Sequence, residues 1–465
     1  MTINRFHYFS TIFLWNHIDL KNKSALESLI ETFKDTTKLQ RLGKLVKSLT
    51  FSHISFIEQE RWSSLLDCCP NIEYFAVERC HLQFRNDLAI SDRLLPKLQA
   101  LIISDCSSCP VDPLLLICQK ATSLSKLSVS GCNFNELQMC DMISLCPNLK
   151  DLKLGSHAGS SLTSLGSAGG DFFAKTLAEK CPHLIGADLT GIISMTDVGW
   201  TRLMYELGPK FQKLYIRRAM QISLDSFLLV KKCTSLTRLT IANVPHLTDE
   251  IVIEILNEIG PQLTFLQLES LPVTDSTFQA LAKTCTNLIQ LRVFQCRAWN
   301  NLDHILLATN FTKLKTLVIH GCDLLESTFD CERVMSSTQS HGSQTPESSS
   351  MPDVRRIRDT GYISPLSGLH LMSSPLTPKS PATIPSNSNN CCTLLSTITH
   401  FEIVSCDAIE HKCVRSFLNH WVGLKRFIYV GSANLDVSIR KQLAKRKNLI
   451  TSIYALTPST PHFDM

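Results

Sequence analysis

No stretch of this chain approaches the roughly 18 consecutive apolar residues that a membrane-spanning helix needs, so no membrane segment is expected. The apolar stretch from Phe6 to Trp15 is short, is broken by His7, Ser10 and Thr11, and lacks a small-residue cleavage site, which argues against a signal peptide. Dense basic clustering is also missing. The net charge is +5 and the pI about 8.3, too mild a balance to support nucleic-acid binding. A disulfide framework is poorly served by 19 cysteines, an odd number. Free buried thiols pack as small apolar fillers, so the composition points to a reducing compartment, cytoplasmic or nuclear.

Catalytic constellations are absent as well. Cys106 and Cys109 form a lone C-x-x-C, and Cys106 already occupies a repeating slot described below. The glycines from Gly166 to Gly170 have no phosphate-loop lysine. His17, His157, His183, His304 and His320 make no spaced pair with carboxylates that would hold a metal. No catalytic residue, metal or cofactor is therefore expected, and the chain is read as a non-enzyme. What it does have is 44% hydrophobic residues and 19% charge over 465 residues, enough for a substantial core.

An internal period organises that hydrophobicity. The pattern apolar-x-x-apolar-x-apolar begins at Val46, Ile72, Leu98, Leu124, Leu149, Leu184, Phe211, Leu236, Leu263, Leu288 and Leu314, and resumes at Ile398, Leu424 and Leu449. All but two of the gaps keep to one length of about 26 residues, within the range of a strand-and-helix repeat. The two exceptions read as insertions, one within Gly155 to Gly170 and one before Ile398. The second and third slots run from Leu49 and Phe51 to Ser452 and Tyr454. Of these 28 positions 27 are apolar, Ser452 being the exception, where composition alone would give about 12.

Alternation at these slots is the period of a strand with one buried face. Cys80, Cys106, Cys132, Cys296, Cys322 and Cys406 stand eight residues after the first slot; Cys69, Cys146, Cys181, Cys233 and Cys285 stand three before it. The second half of each unit reads as helix. In Thr248 to Gly260, the residues Ile251, Ile255, Leu256 and Ile259 share a face, Thr248 or Asp249 caps the start, and Gly260-Pro261 ends it. Thr274-Asp275 and Thr196-Asp197 repeat this start. A strand and a helix per unit bury their apolar faces only by stacking. The expected fold is an α/β solenoid, a horseshoe with parallel strands on the concave face and helices on the convex face.

The unit C-x-x-L-x-x-L-x-L-x-x-C followed by a Thr-Asp helix start resembles the cysteine-containing leucine-rich repeats of fungal-like F-box proteins and of the antagonists of mitotic exit. The resemblance covers about residues 41–335 and 393–456. It implies a substrate-recognition subunit of a Skp–cullin–F-box ubiquitin ligase, with a protein substrate as partner, no nucleic acid or membrane, and a monomer outside the complex. Skp-family adaptor and cullin are implied partners if an F-box lies upstream, because here the F-box itself is largely missing. Only Leu14 to Leu20 resembles the segment that follows it; an apolar cap built on Trp15 and Ile18 is the alternative, giving a stand-alone regulator. The Ran GTPase-activator relatives call for longer units with Asn at the cysteine slot.

The remaining divisions are an N-terminal cap (1–40), an insertion (336–392) and a tail (457–465). The insertion carries 14 Ser and 7 Pro with few aromatics, and reads as disordered. Within it Thr345, Ser364, Ser374, Thr377 and Ser380 each precede a proline and are candidate phosphosites. On the concave face the early rows are small, as in Ser48, Thr50 and Ser52, in Lys126, Ser128 and Ser130, or in Gly186, Asp188 and Thr190. The middle rows bring Lys213, Tyr215 and Arg217, then Arg238, then Phe265 and Gln267, then Arg292 and Phe294, then His320. Five such rows span roughly 20 Å. Their mixture of aromatic and basic side chains is the expected partner site, suited to an acidic or phosphorylated segment.

Overall fold

The computed structural model describes residues 14–34, 40–81, 95–155, 168–327 and 397–455, apart from positions 56, 107, 108, 110, 133, 191, 193, 307, 309, 432–434, 447 and 448. Residues 336–392, with the five candidate phosphosites, lie outside the described residues, as do 1–13 and 456–465.

Fifteen strands form one sheet in sequence order, every neighbouring pair parallel. They are β1 (His17–Leu20), β2 (Ser48–Ser52), β3 (Tyr74–Glu78), β4 (Ala100–Ser104), β5 (Lys126–Ser130), β6 (Asp151–Gly155), β7 (Gly186–Asp188) and β8 (Lys213–Arg217). The series continues through β9 (Arg238–Ala242), β10 (Phe265–Glu269), β11 (Gln290–Phe294), β12 (Thr316–His320), β13 (His400–Val404), β14 (Arg426–Gly431) and β15 (Ile450–Ala455). Helices α1 (Lys23–Lys34), α2 (Gln59–Cys68), α3 (Val111–Lys120), α4 (Glu136–Ser144) and α5 (Ala168–Lys180) return the chain between early strands. Helices α6 (Asp197–Glu206), α7 (Asp249–Ile259), α8 (Asp275–Thr284), α9 (His411–His420) and α10 (Val437–Ala444) do so later. This is a leucine-rich-repeat solenoid. None of its described helices is long and apolar enough to cross a membrane.

The repeating slots build one continuous core. From Val46 through Ile398 every first-slot residue is at most 1% exposed, and the second and third slots lie beside them in the same cluster. The last repeat departs from the expected phase. Register pairs Phe427 with Thr451 and Tyr429 with Ile453, so Ser452 lies in the outward row of Ile428. The one polar residue among the 28 positions is thus not in a core slot. One residue fewer separates Leu449 from its strand, and in a two-residue period a one-residue slip exchanges the faces.

Most strands end on a turn that the apolar pattern did not foretell. His53, Arg79, Asp105, Arg218, Asn243, Ser270, Gln295 and Ser405 take φ of 50–58°, and Gly131 and Gly321 take 62° and 63°. The left-handed backbone costs a non-glycine residue about 1–2 kcal/mol. In return the N–H donates to the carbonyl ending the next strand, as from Asn243 to Glu269 (2.9 Å), Ser270 to Phe294 (2.8 Å) and Gln295 to His320 (2.7 Å). The same turn swings the following residue inward, which seats Cys80, Cys106, Cys296, Cys322 and Cys406 in the core.

The Thr-Asp helix starts divide the labour differently from expectation. Thr196 and Thr274 cap their own helices, each hydroxyl accepting at 3.3 Å from the N–H of Val198 and Ser276 respectively. Thr248 makes no side-chain cap bond. The aspartates reach forward instead. Asp171 accepts from Thr196 N–H (2.8 Å) and Oγ1 (2.6 Å), and Asp249 does the same for Thr274 (2.9 and 2.6 Å). Asp197 accepts from Ser223 N–H at 2.7 Å, and Asp275 from Asn301 N–H at 3.0 Å. A row of carboxylates therefore joins successive repeats in the middle of the solenoid. In α7 the buried face is Val252, Ile255, Leu256 and Ile259, while Ile251 sits at its flank.

Candidate protein-binding site on the concave face

The nine predicted residues all lie on the outward rows of five adjacent strands, β8 to β12. Register aligns Lys213, Arg238, Phe265 and Gln290 in one row across the sheet, and Tyr215, Thr240, Gln267 and Arg292 in the next. Arg217, Ala242, Glu269, Phe294 and His320 form the third. Parallel pairing in exact repeat register is what converts residues one repeat apart in sequence into neighbours.

Geometry separates these residues into groups with different electrostatics. Lys213 pairs with Asp151 at 3.0 Å, two strands away, reaching over Gly186 where no side chain intervenes. Arg217 pairs with Glu269 at 2.8 Å, again two strands away and across the small Ala242. Gln267 donates to the same carboxylate at 3.1 Å. The charges of Lys213 and Arg217 are thus met within the sheet. At the far side, His320 Nε2 lies 2.9 Å and His400 Nε2 3.5 Å from the two oxygens of Glu402, and Phe294 meets the His320 ring edge-on at 4.8 Å. The hydrogen bond from His320 holds the Glu402 carboxyl below the usual range against the effect of burial. Burial pushes His400 down, aided by Arg426 and Arg292 and opposed by Glu402.

The centre of the patch is different again. Phe265 is only 5% exposed although it points to the concave side. The Arg238 guanidinium lies 4.2 Å and that of Arg292 5.8 Å from its ring centroid, and together they cover it. Stacking of this kind is favourable because the ring face carries negative quadrupole density. Among the described residues neither arginine has a carboxylate within ion-pair distance. Tyr215 is half-buried on the neighbouring row.

The outward rows also carry Asp151, Glu269 and Glu402, three acids that the predicted site did not include. The signal was available, since a small residue separates each of the first two acids from an opposite charge two repeats away in the same row. Among the described residues, no cluster of three His, Cys, Asp or Glu side chains could hold a metal. Sixteen described cysteines are free, and fifteen of them are buried. Burial pushes Cys69, Cys132, Cys181, Cys233, Cys285 and Cys296 up to about 12, far from a reactive thiolate.

The arrangement is that of a leucine-rich-repeat solenoid with a polar and aromatic concave face. No family model and no curated relative matches the chain. Among solved structures it is similar to the yeast Rad7–Elc1 complex, at 14% identity and TM-score 0.45 over 97% of this chain and 96% of the other. It is also similar to an internalin from Listeria monocytogenes, at 10% identity and TM-score 0.36 over 94% and 91%. A TLR13–ssRNA13 complex aligns at 15% identity and TM-score 0.44 over 88% of this chain and 50% of that one.

Proposed function

We propose that this chain binds a target protein on its concave face as the substrate-recognition subunit of a Skp–cullin–F-box ubiquitin ligase. The observation that carries the binding role is the pair of arginines stacked on Phe265 without a carboxylate partner among the described residues, at the middle of a fifteen-stranded concave sheet. The ligase role rests on the resemblance of the repeat unit to F-box proteins. In this reading residues 41–335 and 393–456 are the repeats, and 336–392 is an insertion whose Thr345, Ser364, Ser374, Thr377 and Ser380 take phosphate. No residue of the chain performs chemistry. Holding the target near a charged conjugating enzyme raises the effective concentration of its lysines, and proximity supplies the acceleration.

The N-terminal residues favour a second reading. His17–Leu20 pairs with β2, and Trp15 packs on Phe33 with ring centroids 5.8 Å apart, contacts that support reading the segment that resembles a post-F-box stretch as an apolar cap. A stand-alone regulator that blocks its partner by occupying it needs no more than this.

A pull-down of the chain, and of any longer in-frame form, probed for Skp-family adaptor and cullin separates the two. Adaptor and cullin captured by either form support the ligase subunit. Capture by neither refutes it and leaves the stand-alone regulator.

A further inference from the structure

The charge of the chain is unevenly spread. Residues 411–455 carry nine Lys and Arg against one Asp, a net +8; the whole chain carries +5, so the rest is net −3. These residues build α9, β14, α10 and β15, the last two repeats. Their single acid, Asp436, is taken by Arg415 at 2.6 Å. Lys425, Arg426, Lys441 and Lys445 are exposed.

The same end of the solenoid has an open sheet edge. β15 is the outermost strand among the described residues, and it pairs with β14 residue for residue over six positions, without a bulge. Ile450 to Ala455 holds neither charge nor proline. Bulges, lysines and prolines are the devices that keep an edge from accepting another strand, and β15 has none of them. Core residues are also less covered here. Leu449 and Ile453 are only half-buried, where their counterparts Leu288 and Val293 are fully buried, and Ile450 is 67% exposed. Helix α10 flanks this edge. Its Ile439 and Leu443 face the core, while Ser438 and Gln442 bond to Arg415 and Asn419 of α9. At 3.6 residues per turn the exposed Val437 and Ala444 then fall on the open flank, with Lys441 and Lys445 on the outer face beside them.

We infer that the β15 edge and the basic outer face of α10 form a docking surface for an extended segment of a partner protein, apolar along its length and acidic beyond its ends. The segment adds to the sheet as a further strand. Its backbone meets the open donors and acceptors of β15, and alternate side chains cover Leu449 and Ile453. Acidic residues past its ends meet Lys441 and Lys445 on one side and Lys425 on the other. The Ile450 N–H donates to the Lys425 carbonyl at 2.9 Å, which places Lys425 at the start of the edge. Charge decides between occupants. A second copy paired through β15 would set the same basic repeat against itself, so self-pairing is opposed. A nucleic acid cannot continue a strand ladder, and Trp421, Phe427 and Tyr429, which could stack on bases, are buried. This surface lies apart from the β8–β12 rows and stands whether or not those rows hold a target.

The test uses the full chain and fluorescent degenerate peptide libraries, read by anisotropy. The probe library has a core of about five Val, Ile or Thr residues, the length of a strand, flanked on both sides by Asp and Glu. Its comparators are the same core flanked by Lys, an acidic-flanked core interrupted by proline, and a single-stranded DNA oligonucleotide. The probe library should bind at least about ten-fold more tightly than any comparator. Lys441→Glu combined with Lys445→Glu should weaken it by about ten-fold or more. Lys175→Glu combined with Lys180→Glu, the same change of charge on convex α5, should leave it unchanged. Thr451→Pro should abolish it, because Ile450 bonds back to Lys425 and the next N–H faces the open side. Unchanged thermal melting shows that no variant has unfolded. Equal binding of the libraries, failure of all of them, or full binding by the Thr451→Pro protein overturns the docking surface. Oligonucleotide binding as tight as that of the probe library overturns the protein assignment. Two further results give the edge another occupant and also overturn it: dimers in sedimentation that Thr451→Pro dissociates, or peptide binding seen only after deletion of 456–465. Adaptor capture bears on the ligase role alone.

Discussion

The forward-reaching aspartates make a direct claim about what couples the repeats. Asp249, on the first turn of α7, accepts from the backbone N–H of Thr274, from its hydroxyl, and from the hydroxyl of Thr277 on α8. Thr277 is fully buried. Asp249→Ala would therefore remove a charged acceptor and leave the buried Thr277 hydroxyl and the half-buried donors of Thr274 unmatched. Each such loss costs about 1–3 kcal/mol, and with several sharing one carboxylate a total of about 2–4 kcal/mol is expected. Asp249→Asn keeps an acceptor oxygen and should cost less. Urea denaturation reads the total, and amide exchange at the start of α8 shows whether the loss is local to the interface between repeats. The pH dependence has a fixed sign. Burial alone would raise the Asp249 pKa, but the hydrogen bonds from Thr274 and Thr277 outweigh it and hold the group below its ordinary value of 3.8. Its contribution is then present above the unfolded value and is lost as pH falls through the depressed folded value. An Asp249→Ala protein as stable as the parent, with unchanged exchange at α8, would refute the reasoning.

Other expectations follow from the same structure. His400 is pushed below its ordinary 6.5 mainly by burial, so its neutral form favours folding; stability should decline as pH falls below about 6.5, and His400→Gln should flatten melting temperature between pH 5 and 7. Trp299 is fully buried against Phe278, with centroids 3.9 Å apart, and Trp299→Ala should cost about 3–5 kcal/mol in urea unfolding. A Cβ at Gly131 would lie 2.9 Å from the Cα of Asp105 on a backbone with φ of 62°, so Gly131→Ala should destabilise by more than about 1 kcal/mol, measured by thermal melting. The fifteen buried cysteines should resist a thiol reagent in native protein at pH 8 and all react in urea; rapid native labelling of Cys285 or Cys296 would contradict the packing.

The solenoid was legible in the amino-acid sequence because its interactions are local and repeated. A near-constant spacing of alternating apolar slots leaves no simple arrangement other than stacked strand-and-helix units, and the first-slot residues from Val46 to Ile398 are buried as that spacing requires. The outward rows were legible for the same reason, since alternation assigns a face to every strand residue. Three things depended on the third dimension. The last repeat slipped by one residue, a change that apolar spacing cannot register when Ile453 and Tyr454 are both apolar. Asp249 turned away from its own helix, because the next repeat presents buried donors to it. The concave charges were sorted by reach across the sheet. Lys213 and Arg217 could span Gly186 and Ala242 to find acids, while Arg238 and Arg292, with no carboxylate within ion-pair distance among the described residues, lie over Phe265. Sequence determines which side chains face outward from the sheet; only the register and reach between strands decide which of their charges are met by a neighbour.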